Sequence, residues 1–139
     1  MRTPRAAIAI IALLCATGCD FSTSPTGEVA DVRGTWQFSG DQDAPALTLE
    51  GTLLIQSQAG DAVSGQLSWQ EHDGLGGSVA KGGAVSGLVI EHSDVDFDVI
   101  LPGGNRRHVG SITGDTIRGA WLEVGSGKSG SWAAVRSTP

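Results

Sequence analysis

The sequence is poor in the residues on which catalysis depends. Its 139 residues include no tyrosine, one methionine, three histidines, two cysteines and a single asparagine. Only 17% of the residues are charged, whereas 40% are hydrophobic, a share typical of globular proteins and too high for intrinsic disorder. The 21 glycines follow no triplet period, which excludes collagen. This scarcity predicts that the protein is not an enzyme, and no residue is a catalytic candidate.

The N-terminus has the layout of a secretory signal. Arg2 and Arg5 form a short basic region, and residues 6–16 form an uncharged apolar run. Because about 18 apolar residues are needed to span a bilayer, this shorter run indicates a signal peptide and not a membrane anchor.

The end of the apolar run resembles the lipobox of bacterial lipoproteins. Small residues, Ala16-Thr17-Gly18, stand directly before Cys19, although Ala16 replaces the leucine most common in that family. The resemblance implies cleavage before Cys19, which then carries acyl chains on its sulfur and its new amine. The protein would be attached to a bacterial envelope membrane, inner or outer, with its domain outside the cytoplasm. The alternative is an ordinary signal peptide whose removal leaves a soluble protein.

Removal of residues 1–18 changes both the charge and the cysteine content. Arg2 and Arg5 are lost, so seven of the nine basic residues face 15 acidic ones, a net charge of −8. Such a charge argues against nucleic acid as a partner. Cys15 is also removed, and Cys19 is left without a disulfide partner.

The mature chain divides into a tether and one domain. Residues 19–31 are small and polar and predict a flexible tether after the lipidated cysteine. Residues 32–139 show repeated alternation of apolar and polar residues, separated by turn residues, which indicates strands and not helices. The predicted strands are Val32–Ser39, Ala46–Gln56, Ala62–Glu71, Ala84–Glu91, Asp94–Leu101, Arg107–Thr113, Thr116–Glu123 and Ser129–Arg136.

Glycines within these strands favour a closed sheet. Six of them fall in phase with the apolar face: Gly34, Gly51, Gly65, Gly87, Gly119 and Gly130. Glycine weakens a strand unless a bend or a close backbone approach requires it, and a sheet that closes on itself requires such bends. We therefore predict an all-β, eight-stranded antiparallel up-and-down (meander) barrel, with a sandwich as the alternative.

Short motifs in the domain resemble the barrels of avidins and lipocalins. Gly34-Thr35-Trp36 opens the first strand, Val63-Ser64-Gly65 follows a turn, and the late strands carry tryptophan. The resemblance implies a small apolar ligand at the mouth of the barrel. Biotin is not supported, because avidins use tyrosine and asparagine for it. The predicted ligand-binding residues are Trp36, Trp69, Trp121 and Trp132.

Other clusters favour structural roles. The row Asp94, Asp96 and Asp98 reads as a solvated strand face, and Arg106-Arg107-His108 as an exposed turn edge. A hydrolase or metal site would need His72 and His92 to converge with acidic neighbours, and no fixed metal motif is present. The glycine-rich segment 72–83 is predicted to be a surface loop, with a lid over one barrel mouth as the alternative.

The sequence therefore predicts a lipid-anchored envelope protein with no cofactor and no metal. Its barrel is expected to be a non-catalytic binding or structural domain that holds a small apolar ligand. The alternative is a protein-interaction module, such as an inhibitor of envelope proteases.

Overall fold

The computed structural model of the protein describes residues 28–137 and contains eight strands in this range. They are β1 (Gly34–Gln42), β2 (Leu47–Ala59), β3 (Ala62–His72), β4 (Ser78–Ile90), β5 (Asp94–Val99), β6 (Arg106–Thr113), β7 (Thr116–Glu123) and β8 (Ser129–Arg136). The signal peptide of residues 1–18, the lipidation site Cys19 and most of the tether lie outside the described residues. No helix within residues 28–137 is long and apolar enough to cross a membrane.

The strands form one closed antiparallel barrel. Each strand pairs with its neighbours in sequence, and β1 closes the sheet by pairing with β8, with Trp36 opposite Arg136 and Gly40 opposite Trp132. The all-β meander barrel predicted from the sequence is therefore confirmed. Because the chain reverses after every strand, alternate loops gather at opposite ends of the barrel.

Two of the strand boundaries that differ from the sequence prediction together open the barrel wall. β4 begins at Ser78, six residues before the predicted start, while β5 ends at Val99. The first residue of β4 that pairs with β5 is Val85, opposite Val99. The first half of β4 therefore has a neighbour on the β3 side only. The connection from β3 to β4 shrinks to residues 73–77, so the predicted long loop is wrong.

Inward glycines allow adjacent strands to cross closely, as the sequence predicted. A side chain at Gly51 would collide with the backbone of Ser68 and Trp69 on β3, and one at Gly119 with the backbone of Val109 and Gly110 on β6. The strands coil tightly at these points because no side chain separates them.

One end of the barrel, here termed the closed end, is covered by the chain that enters β1. Val32 is buried, and its carbonyl accepts a hydrogen bond from Trp36 Nε1 at 2.9 Å. The Ala30 amide donates to the His92 carbonyl, and the Ala30 carbonyl accepts from the Gln58 side chain. Residues 29–31, the last part of the predicted tether, are thus held against the barrel.

Aromatic side chains fill the centre of the barrel. Phe38, Phe97, His108 and Trp132 are all buried, and their ring centroids lie 5.0 to 6.0 Å apart in the contacts that join them. Such offset and edge-to-face contacts are typical of a packed core. The space available to a ligand must therefore be sought near the opposite end, here termed the open end.

Candidate functional site

A half-open cleft of about 580 Å³ lies at the open end, where the barrel wall is incomplete. One side is formed by Val79–Gly82 of β4, and the other by Leu101–Gly104 of the β5–β6 loop. Glu123, Val124 and Ser126 complete the lining from the end of β7 and the turn after it. The lining is mostly apolar with a few polar groups, which is the usual composition of a small-molecule site.

A buried arginine lies behind this cleft at the start of β6. Arg106 is fully buried between two indole rings, with its guanidinium carbon 4.7 Å from the centroid of Trp69 and 3.9 Å from that of Trp121. Cation–π attraction on both faces offsets part of the cost of removing this charge from water. The two tryptophans thereby fix the plane of the guanidinium.

Two carboxylates neutralise the arginine, and a lysine pairs with one of them. Arg106 Nη2 lies 3.4 Å from Glu71 Oε1 and 3.3 Å from Glu123 Oε1, and Lys81 Nζ lies 3.3 Å from Glu71 Oε2. Burial alone would raise the pKa of Glu123, but a hydrogen bond from Ser126 and the charge of Arg106 outweigh it and lower the pKa. This ion network has two positive and two negative side chains, so its formal charge is zero.

The network leaves hydrogen-bond donors unused. Arg106 Nε and Nη1 are buried and have no partner among the described residues. An unsatisfied buried donor costs roughly 1 to 3 kcal/mol, so these N–H groups favour an acceptor oxygen from a ligand or water. Lys81 and Glu123 belong both to the network and to the cleft lining, which connects the two.

A second buried polar residue, His108, lies two positions further along β6. Its Nδ1 donates to the Arg106 carbonyl at 3.3 Å, which leaves Nε2 as an unpartnered acceptor inside the aromatic cluster. Burial, together with the charge of Arg106, lowers the pKa of His108 to about 3. The imidazole is therefore neutral at physiological pH and acts as part of the core.

The predicted exposed turn edge at residues 106–108 is wrong for two of its three residues. Arg106 and His108 point into the barrel, and only Arg107 is exposed, where it pairs with Asp96. The alternation along β6 indicates the inward direction of Arg106 and His108, because residues at even positions of this strand share the inward face. The prediction began the strand at Arg107 and so did not apply this phase to Arg106.

The four predicted ligand-binding tryptophans are all buried but lie at different heights. Trp69 and Trp121 flank Arg106 near the open end, Trp132 lies in the central cluster, and Trp36 lies at the closed end beneath Arg136. The structure therefore brings only Trp69 and Trp121 close to the cleft. Their assignment as ligand contacts stays a prediction.

The histidines considered for a hydrolase or metal site do not converge. His72 ends β3 at the open end, whereas His92 lies in the β4–β5 turn at the closed end. On β5, Asp96 binds Arg107 on the outer surface, which lowers the pKa of Asp96. Across residues 28–137, no three acidic, histidine or cysteine side chains are grouped so that they could hold a metal ion.

Comparisons with known proteins show the fold and no family. No protein-family model matches the chain, and neither does any curated protein. The solved structure of EF1p2_mFAP2b bound to DFHBI is 12% identical, with a TM-score of 0.62 over 76% of this chain and 93% of that one. A de novo designed fluorescence-activating β-barrel is 17% identical, with a TM-score of 0.56 over the same shares. The chain thus shares its small β-barrel fold with these proteins.

Proposed function

We propose that this protein is a lipid-anchored binding barrel of the bacterial envelope that holds a small, mainly apolar ligand in the cleft at its open end. The observation that carries the proposal is the cleft itself, a lined space of about 580 Å³ where the wall between β4 and the β5–β6 loop is incomplete. The solved barrels that share this fold include one bound to a small molecule, DFHBI, which is consistent with ligand binding by such a scaffold.

Packing within the barrel supports this position for the site. The centre is filled by aromatic rings, and the closed end is covered by the segment before β1, with Arg136 stacked 4.3 Å above Trp36. The cleft is instead reached from solvent, and Val79 and Val124 on its walls are more than half exposed. Exposed apolar side chains around a concave site favour binding of an apolar molecule.

The electrostatics of the site favour a ligand without net charge. Because Lys81 and Arg106 are balanced by Glu71 and Glu123, a charged ligand would add an unbalanced charge beside a partly buried network.

The binding proposal predicts that a larger side chain in the cleft blocks the site. Val79→Trp should weaken binding of the neutral dye Nile red by at least about tenfold, the equivalent of 1.4 kcal/mol. The matched control is Val135→Trp, at an exposed valine on β8 away from the cleft, which should leave the affinity unchanged. Both affinities come from fluorescence titration of the full chain. Equal affinities in the two variants, or no dye binding to the parent protein, would contradict the proposal.

A further inference from the structure

The exposed edge of β4 beside the cleft carries backbone groups without a strand partner. In the paired half of β4, the residues whose backbone N–H and C=O groups face β5 are Ser86, Leu88 and Ile90. On the same side, the Ala84 carbonyl accepts a hydrogen bond from the Ile100 amide at 2.9 Å. The N–H and C=O groups of successive residues in a strand point to opposite edges. Ala80 and Gly82 therefore point these groups toward the β5 side, as the other even-numbered residues of β4 do. There, no described strand pairs with them.

This edge lacks the devices that usually protect an unpaired strand. Proteins block such edges with proline, with charged side chains or with a covering loop. Between Ser78 and Ala84 there is no proline, and the one charged residue, Lys81, is bound to Glu71 at 3.3 Å. Gly82 has no side chain and Ala80 only a methyl group, so a second backbone can approach closely.

We infer that the edge of β4 from Ser78 to Gly82 binds an extended, uncharged segment of polypeptide, which pairs as an added strand within the cleft. The inference rests on the proposed function, since it names the class of ligand for the same cleft. Peptide carbonyls and amides would satisfy Ala80 and Gly82, as in other cases of strand addition to an open sheet edge.

The chemistry of the cleft selects this occupant. The ion network behind the cleft has no net charge, so an uncharged segment costs least to bury there. The opposite wall, Leu101–Gly104, and Val124 offer apolar contacts to side chains that point away from the edge. Alternate residues of an extended segment would meet this apolar surface, because successive side chains of a strand point to opposite faces.

The test uses the full chain and a heptapeptide with alternating valine and threonine at its five central positions and lysine at each end. Binding is followed by amide spectra of the isotope-labelled protein. We expect the amides of Ala80 and Gly82 to shift and to become protected from hydrogen exchange on binding, while Lys81, whose backbone faces β3, keeps its protection. Peptide binding that leaves Ala80 and Gly82 unprotected would overturn the inference.

Two N-methylated peptides serve as matched controls. One carries N-methyl groups on the valines and the other on the threonines, so each removes the donors from one edge of the extended peptide. Strand addition predicts that one form loses binding and the other retains it, since only one edge meets β4. Equal affinities of the two forms would contradict a paired strand.

A variant of the protein tests the same edge from the other side. Ala80→Pro removes the N–H that faces the cleft but not a bond to β3, and it should weaken peptide binding by about tenfold. Ala80→Thr keeps the N–H and should bind as the parent does. If Nile red binds in the cleft but the peptide does not, the peptide inference fails and the proposed function stands. If neither binds, both fail. A dimer in solution whose contact protects Ala80 and Gly82 would also overturn the inference.

Discussion

At the scale of single residues, Arg106 and His108 stand out among the buried polar side chains of the barrel. Arg106 is stabilised by stacking on two indoles and by shared carboxylates, whereas His108 is buried as a neutral ring stacked 5.0 Å from Phe97. Both carry unpartnered polar atoms, the feature that separates them from the surrounding core. Arg106 belongs to the ion network behind the candidate cleft. His108 bears on the pH dependence of stability, because burial lowers its pKa.

His108 should make the protein less stable in mild acid. Its pKa is 6.5 when unfolded and about 3 when folded, so below pH 6.5 the unfolded chain binds a proton that the folded chain does not. The free energy of unfolding should therefore fall by up to about 1.4 kcal/mol per pH unit as the pH drops from 6.5 toward 3. The variant His108→Phe keeps a ring against Phe97 and should lose this part of the slope.

Urea unfolding monitored by tryptophan fluorescence at pH 7.5, 6, 5 and 4.5 measures this dependence. Above pH 7 His108 is neutral in both the folded and the unfolded chain. Its titration should therefore not change the free energy of unfolding of the parent protein there. Parallel stability curves for the parent and His108→Phe between pH 6 and 4.5 would show that this prediction is wrong.

At the scale of elements, alternation and turn residues sufficed to predict all eight strands and their order. The boundaries of β7 and β8 match the prediction, because turns rich in glycine, with aspartate or lysine, flank regular alternation. β4 was predicted six residues short, since Ser78–Gly83 contains only one large apolar residue, Val79, and reads as a loop. That half of β4 is held by β3 alone, a tertiary effect that local sequence does not encode, and it forms one wall of the cleft.

The β4–β5 turn contains stored conformational strain. Glu91 and His92 have φ angles of 46° and 73°, a left-handed region that residues with a side chain seldom adopt, although asparagine, aspartate and histidine adopt it more often than glutamate. The variant Glu91→Gly relieves this strain at the less tolerant of the two residues, and the backbone carbonyl of His92 that binds the Ala30 amide is kept. We expect the free energy of unfolding to rise by about 0.5 kcal/mol, measured by urea unfolding at pH 7.5.

Ser93 provides the matched control for this turn. It follows His92 in sequence and is not among the residues with positive φ. Ser93→Gly should lower stability, because glycine there gains only unfolded-state freedom. If both glycine variants destabilise the protein equally, the turn is not strained.

At the scale of the whole molecule, the two barrel ends are built differently. The closed end is covered by residues 29–32, whereas the cleft opens at the other end. The position of the cleft could not be read from the sequence, because it depends on how β4, the β5–β6 loop and the end of β7 meet in space. The inward direction of Arg106 could have been, because it follows the alternation of β6.

The proposed lipid anchor makes a simple prediction about location. The variant Cys19→Ser removes the sulfur that would be acylated, and it should move the protein from the membrane fraction to the soluble envelope fraction. Two or more acyl chains hold a protein stably on a membrane, so the shift should be nearly complete. Fractionation followed by mass measurement of the parent chain checks both location and lipid. A Cys19→Ser protein that stays membrane-bound would rule out this anchor.

The central claim is that the ligand site is the cleft at the open end and not the barrel centre. It is tested most directly by residue-resolved amide spectra of the isotope-labelled chain during titration with Nile red. We expect saturable shifts at the amides of Val79–Gly82, Leu101, Gly103, Gly104 and Val124, with residues around Trp36 at the closed end unchanged. Shifts confined to the closed end, or centred on Phe38 and Trp132 with none in the cleft, would contradict the claim.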